Sequence, residues 1–292
     1  MDSKPDRPDV TAVVVHYETP DLLERCLRAL RESTGVSVES VVVDNASVAF
    51  DAAAVETAFP GANVIRNDAN LGFAAAANKG LRDANGRYVL LLNPDTIVKP
   101  ATLSTLVEFM DERPDVGCTT ARLVMDDGRL DLACRRSFPT PARAFYRLTL
   151  LSRVFPRSRR FGQYNLTYLD EHEQAEIDAP CGAFMLVRRE VVAQVGPLDE
   201  TYFMYGEDLD WAFRMKENGW RIIYNPAASA THLKRAASAK TRSRTIPAFY
   251  DAMRIFYRRH YQGAYPRWVS WLIYRAIDAR EGLELTALRL RS

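Results

Sequence analysis

VTAVVVHYETPDLLERCLRALRESTGVSVESVVVDN, residues 10–45, decides the fold. Val10–Val15 and Ser40–Asp44 are short β-branched runs that end in polar residues, the pattern of buried parallel strands. Between them Thr19-Pro20-Asp21 opens a helix with a cap, a proline at the first helical position and an acid in the first turn. Its apolar stripe is Leu22, Leu23, Cys26, Leu27 and Leu30. Further on, Asn63–Arg66 reads as a strand, Phe73–Asp83 as an alanine-rich helix, Arg87–Leu92 as a strand and Ala101–Asp111 as a helix. Strand and helix alternating at this spacing imply an α/β fold, a doubly wound sheet flanked by helices with right-handed crossovers. Ligands of such sheets sit beyond the carboxyl ends of the strands. Those ends carry His16, Tyr17, Asp44, Asn45, Asn93 and Asp95.

The second half is less regular. Residues 135–170 read as a loop-rich excursion with weak helical patches, and Gly182–Arg188 as a strand. Glu207–Asn218 reads as a helix closed by Gly219, and Arg221–Tyr224 as a short strand. Ala248–Tyr261 spaces Phe249, Met253, Phe256 and Tyr257 as an amphipathic helix. The stripe is expected to pack on the rest of the chain, and a homo-oligomer face is its other use.

The chain has 292 residues, 47% hydrophobic and 26% charged, with a mean hydropathy of −0.23. No apolar run approaches the roughly 18 residues that a spanning helix needs, and the first residues, MDSKPDRPD, form no signal-peptide core. A cytoplasmic protein is expected. Four cysteines without CxxC spacing, Cys26, Cys118, Cys134 and Cys181, read as reduced, buried thiols. The net charge of +2 is uneven. Eight arginines and no acid lie between Asp131 and Asp170. From His232 onward thirteen Lys/Arg face four Asp/Glu, a net of +9 that leaves −7 for residues 1–231. Both basic blocks are interleaved with aromatics, including Trp268 and Trp271, which suits an anionic membrane surface as well as a solvated face. No nucleic-acid partner is expected.

Several motifs carry chemistry. In VVVHYETPD, Tyr17 can stack on a base or ribose, or simply pack. In VVVDNAS, Asp44 can accept from a ring N–H or a ribose hydroxyl, or cap the next turn. NLGFAAAANKG offers amides at Asn70 and Asn78 and close backbone approach at Gly72; it is neither GxGxxG nor a P-loop. LLNPDT is a DxD variant in which Asp95 can ligate Mg2+ or Mn2+, or close a type I turn. GEDLDW crowds Glu207, Asp208 and Asp210 into a helix start, where one acid can serve as a general base. His232 can complete a metal shell, and Lys234 and Arg235 can hold a diphosphate.

Taken in order, VVVHYETPD, VVVDNAS, NLGFAAAANKG, LLNPDT, VGPLDETYFMYGEDLDWAFRMKENGWRIIYNPAA and His232 make the chain resemble the family 2 inverting glycosyltransferases of GT-A fold. Within them it resembles the bacterial rhamnosyltransferase-like branch. The resemblance implies a GT-A domain over 1–245, with a nucleotide-sugar half at about 10–100 and an acceptor half at about 101–245. Residues 246–292 then form a basic, aromatic helical extension. It implies nucleotide contacts at Tyr17 and Asp44 and a donor pocket shaped by Asn70, Gly72 and Asn78. It implies a metal on Asp95 and His232, with Asp208 as the catalytic base. The implied donor is dTDP-L-rhamnose, the acceptor a glycan or polyprenyl-diphosphate-linked sugar, and the place the inner face of the cell membrane. His16, Glu18 and Asn93 depart from the family pattern. A sugar-phosphate nucleotidylyltransferase would need an N-terminal glycine-rich signature that VVVHYETPD lacks. A non-catalytic sugar-nucleotide-binding protein would not need the acidic triplet.

Overall fold

The computed structural model describes residues 7–233 and 242–290. Its centre is a nine-stranded mixed sheet. Four parallel strands form one side: β1 (Val10–His16), β2 (Val38–Asp44), β3 (Ala62–Arg66) and β4 (Tyr88–Leu92). The other side is built from β5 (Thr96–Val98), β6 (Val116–Val124), β7 (Ala175–Glu176), β8 (Phe184–Arg188) and β9 (Arg221–His232). The strand order is β3-β2-β1-β4-β8-β6-β9-β5, with β7 beside β9. β8 runs antiparallel to both β4 and β6, so the direction of the sheet changes beside β4.

The parallel side follows from its side chains. Every residue of β1 and β4 is buried, and each fully buried valine or leucine contributes roughly 1.5–3 kcal/mol. The expected helices form as α1 (Pro20–Arg31), α3 (Phe73–Asp83) and α4 (Thr102–Asp111), and a further one, α2 (Ala52–Ala58), lies between α1 and α3. The alanines of α3 serve the sheet. At Gly80 a Cβ would lie 2.4 Å from a Val13 methyl, so the helix rests directly on β1 and β2.

β5, β6 and most of β9 are absent from the sequence expectation for physical reasons. β6 is covered on both faces and shows no polar alternation. Its central threonines look unsuited to a core, yet Thr119 donates to the Ile223 carbonyl at 2.9 Å and Thr120 to that of Phe184 at 3.0 Å. β9 continues past Pro226 because the ladder bulges there: Ala121 pairs with Asn225, and Arg122 pairs with Ser229.

Within the excursion, α5 (Pro141–Leu148) and α6 (Leu151–Val154) form a short helical hairpin that turns at Leu150, φ 62°. α7 (Arg189–Val195) follows β8, and α8 (Glu207–Glu217) carries the acidic triplet. α9 (Arg242–His260) and α10 (Arg267–Arg289) end the chain, and α9 runs through position 245 without a break. Phe256 of α9 packs near Phe138 and Phe213 and belongs to the main core. Tyr257 is buried and its hydroxyl meets Ser270 at 2.9 Å. Trp268 and Trp271 stay exposed, at 66% and 58%. All four cysteines are free and buried. Among the described residues no helix is long and apolar enough to cross a membrane.

Candidate active site

Asp95 and His232 lie 137 positions apart in sequence yet are neighbours, because β5 pairs with β9 and sets Thr96 opposite His232. The Asp95 carbonyl also accepts from Leu233 at 2.8 Å. His232 Nδ1 meets Asp131 at 2.8 Å, and Nε2 lies 3.3 Å from Asp95 Oδ1. That oxygen is buried and accepts no well-directed hydrogen bond. Burial works against a charge on His232, but the hydrogen bond to Asp131 and the nearby Asp95 carboxylate outweigh it and push the imidazole up to about 9. Among the described residues no three His, Cys, Asp or Glu side chains already form a metal shell.

These groups open onto a cavity of about 870 Å³. Its lining includes Asn93, Asp95, Asp131 and His232 on one side, and Glu207 and Asp208 on another. α8 enters it through Tyr205 and Gly206, both left-handed (φ 69° and 82°). Asp208 Oδ2 takes Arg136 Nη2 at 2.6 Å and the Gly182 N–H at 3.0 Å, while Oδ1 takes the Leu209 N–H at 2.8 Å. Arg136 also donates to the Pro180 carbonyl. Burial would depress that guanidinium, but the adjacent Asp208 raises it instead. Glu207 is buried with Oε2 unpartnered. Burial, then the charge of Asp208, pushes it up to about 8, so it holds a proton at neutral pH.

Asn93, Asp95, His232, Glu207 and Asp208 therefore converge. Asp210 does not: it is fully buried on the far side of α8, bound to Arg214 and to His260, each at 2.8 Å. It supports helix packing and not the cavity.

The expected nucleotide contacts are also turned inward. Asp44 is fully buried, 2.9 Å from His16 Nδ1, and accepts from the Ser47 N–H. His16 Nε2 accepts from the Thr19 N–H at 3.0 Å, so this imidazole is neutral with its proton on Nδ1. Asn45 holds Asn67, Asn70, Leu71 and Gly72 together through four hydrogen bonds. The Asn70 carbonyl folds back on the Gly72 N–H. Asn78 is buried and locks Leu198 and Glu200 onto α3. Gly72 does permit close approach, but of Phe203: a Cβ there would sit 2.3 Å from the Phe203 carbonyl oxygen. These groups share one feature, a polar network that closes on itself. Tyr17 is half-buried at the end of β1, outside the cavity lining. Lys234 and Arg235 lie outside the described residues.

Sequence reasoning missed Asp131 and Arg136. No local motif marks Asp131. Arg136 was read as part of a basic face, and its partner is 72 residues away.

Known proteins give the same outline. Over 296 aligned residues the chain is 26% identical to an N-acetylglucosaminyl-diphospho-decaprenol L-rhamnosyltransferase of Mycobacterium tuberculosis (strain H37Rv), covering 97% of this chain and 95% of that one. It is 29% identical over 152 residues to the rhamnosyltransferase WbbL of Escherichia coli (strain K12), covering 52% and 54%. The mannosyltransferase PcManGT of Pyrobaculum calidifontis, solved with GDP-Man and Mn2+, superposes with a TM-score of 0.57 at 21% identity, over 88% of this chain and 67% of that one. GalNAc-T7, solved with UDP, GalNAc and Mn2+, superposes at 0.61 and 16% identity, over 86% and 48%. These likenesses give the sheet and its flanking helices the GT-A fold. Residues 8–246 match the family described as glycosyltransferase like family 2, and the chain belongs to it as a rhamnosyltransferase-like glycosyltransferase.

Proposed function

We propose that the chain transfers L-rhamnose from dTDP-L-rhamnose to a polyprenyl-diphosphate-linked sugar, inverting the anomeric centre, with Mg2+ or Mn2+ as cofactor. The relative from M. tuberculosis, matched along almost its whole length, supports the transferred sugar and the acceptor. The observation that carries the chemistry is one cavity holding Asp95 and His232 together with Asp208.

The residues present fit a divalent cation. Asp95 offers a buried oxygen without a good hydrogen bond. His232 has Nδ1 fixed by Asp131, the usual carboxylate–histidine support of a metal site, and a cation at Nε2 would take the place of the proton held there between His232 and Asp95. Asp95 and His232 would hold the ion, which when bound neutralises the charge of a leaving nucleoside diphosphate. Asp208 is the base. The Arg136 guanidinium and the Gly182 N–H fix its carboxylate through Oδ2, and Oδ1, which accepts only from the Leu209 N–H, keeps a lone pair for the acceptor hydroxyl. Asp208 takes that hydroxyl's proton as the oxygen attacks the anomeric carbon. Glu207, protonated beside it, adds no second negative charge to repel the incoming acceptor. Attack on the face opposite the leaving group inverts the centre without a covalent intermediate.

A panel of nucleotide sugars, assayed for nucleotide release with and without Mn2+ in EDTA-treated protein, tests this reading. Release from dTDP-rhamnose, dependent on Mn2+ and giving a product of inverted configuration by NMR, is expected. Release from another donor, a retained configuration or full activity in EDTA each refutes the corresponding part. The reading includes peripheral attachment to the inner face of the cell membrane. Trp268, Trp271 and the net +9 after His232 support it. Protein that ignores anionic vesicles at low salt would remove that part.

A further inference from the structure

The eight arginines between Asp131 and Asp170 are not equivalent. Arg135 donates to the carbonyls of Asp170 and Leu169 at 2.7 and 2.9 Å. Arg136 is bound to Asp208. Arg143 is bound to Gln163, the Phe138 carbonyl and Asp178, and Arg160 to the Tyr146 hydroxyl. Arg157 and Arg159 are exposed and do not line the cavity. Arg147 and Arg153 differ from all of these. Both line the cavity that holds Glu207 and Asp208, and neither has an acidic partner among the described residues. Arg147 is steadied by Tyr164, whose ring centroid lies 5.0 Å from its guanidinium carbon. Glu284 lines the same cavity but is paired with Arg280 at 3.6 Å.

The hairpin bearing these two cations also presents exposed apolar side chains. Phe145, Val154 and Phe155 are 56%, 64% and 51% exposed. Phe155 and Tyr146 contact Phe161, at ring distances of 5.7 and 5.1 Å, and Phe161 is itself a cavity wall. Two uncompensated guanidiniums beside exposed aromatic rings match an amphiphile, an anionic group joined to a hydrocarbon chain.

We propose that the α5–α6 hairpin is the seat for a diphosphate carried on a hydrocarbon chain, with Arg147 and Arg153 as its anion contacts. This rests on the transferase reading and names the part of the acceptor that the hairpin grips. Held there, the diphosphate lies in the cavity that Asp208 lines, and the chain leaves over Phe155 and Phe145 toward solvent or bilayer.

The test is isothermal titration of the full chain with farnesyl diphosphate, farnesol and dTDP at physiological salt. Farnesyl diphosphate is expected to bind and farnesol not to bind. The pair Arg147→Gln/Arg153→Gln should weaken farnesyl diphosphate at least tenfold and leave dTDP unchanged. The pair Arg157→Gln/Arg159→Gln, of equal charge change, should behave as wild type. Equal loss in that control, unchanged binding in the first pair, or no binding by the wild type overturns the site. Weakened dTDP binding would move the arginines to the donor. Full displacement of farnesyl diphosphate by phosphatidylglycerol vesicles would assign them to bilayer headgroups. None of these readouts uses turnover. A chain that binds farnesyl diphosphate through Arg147 and Arg153 but releases no nucleotide from any dTDP-sugar would refute the transferase reading and leave this one intact.

Discussion

From β1 to α3 the polar groups near the ends of the strands face one another, whereas from β5 onward they face a cavity. His16, Asp44 and Ser47 form one closed knot, and Asn45, Asn67 and Asn70 form another. Around the cavity, by contrast, an Asp95 oxygen and a Glu207 oxygen are left without a hydrogen bond, and His232 lies between the two acids Asp131 and Asp95. Buried polar groups are ordinarily satisfied because leaving one unpaired costs about 1–3 kcal/mol. Unsatisfied groups collected around one cavity are therefore the signature of a site, and satisfied ones the signature of a scaffold.

The largest expected effect tests the second group through its one complete partner. Arg136→Met leaves Asp208 buried without its cation, and removing one member of a buried pair costs about 3–5 kcal/mol. Denaturant titration should show that loss; a change below about 1 kcal/mol would mean water already compensates Asp208. Next comes Asp208→Asn, which keeps the shape but removes the basicity. Turnover should fall by on the order of a hundredfold or more with donor affinity retained. Turnover near wild type would pass the role to Glu207, since Asp210 faces away from the cavity.

Glu207→Gln sharpens the contrast by pH. Folded Glu207 keeps its proton up to about pH 8, against an ordinary value of 4.5. The folded chain thus binds more protons than the unfolded one between these values, and wild-type stability falls as pH rises through that window. Glutamine does not titrate. The variant should gain on wild type from pH 5 to pH 8, by on the order of a few kcal/mol at most, in melting curves run across that range. A difference independent of pH would show that Glu207 is ionised in the folded chain. The smallest effect belongs to the scaffold. Asn45→Ala breaks the knot around Gly72 and should cost about 1–3 kcal/mol of stability, while dTDP affinity, measured by titration on the still-folded variant, stays within a few-fold. A selective loss of dTDP binding would restore Asn45 to the donor pocket.

Much of this was legible in the residues. Runs such as VVVHYE and VVVDN announce parallel strands, and α3 spans Phe73–Asp83, the bounds read from its alanine-rich stretch. Asp95 of LLNPDT, Glu207 and Asp208 of GEDLDW and the later histidine meet at one cavity, and only Asp210 of the triplet does not. What stayed hidden depends on partners far along the chain. β6 carries threonines that are acceptable in a core only because specific carbonyls on β8 and β9 receive them. Arg136 looks like surface charge until α8 brings Asp208 to it. Asp44 and Asn45 sit where a ligand contact belongs in such a sheet, and only the geometry of His16, Ser47 and Gly72 shows that their bonds are already made.

Asp210 has a consequence for how the chain can be cut. Its carboxylate, at the core end of α8, is gripped by His260 near the end of α9, and Arg259 pairs with Asp199 on the loop that leads to α8. α9 is thus a strap buckled to the back of the helix whose front presents Asp208 to the cavity. A fragment ending near residue 245 would keep Asp95, Asp131, Glu207 and Asp208 yet lose Glu284 from the cavity wall, strand Asp210 without His260 and bare the rings of Phe138 and Phe213 to water. The detachable unit is α10 alone, and a shortened enzyme that still folds should end after His260.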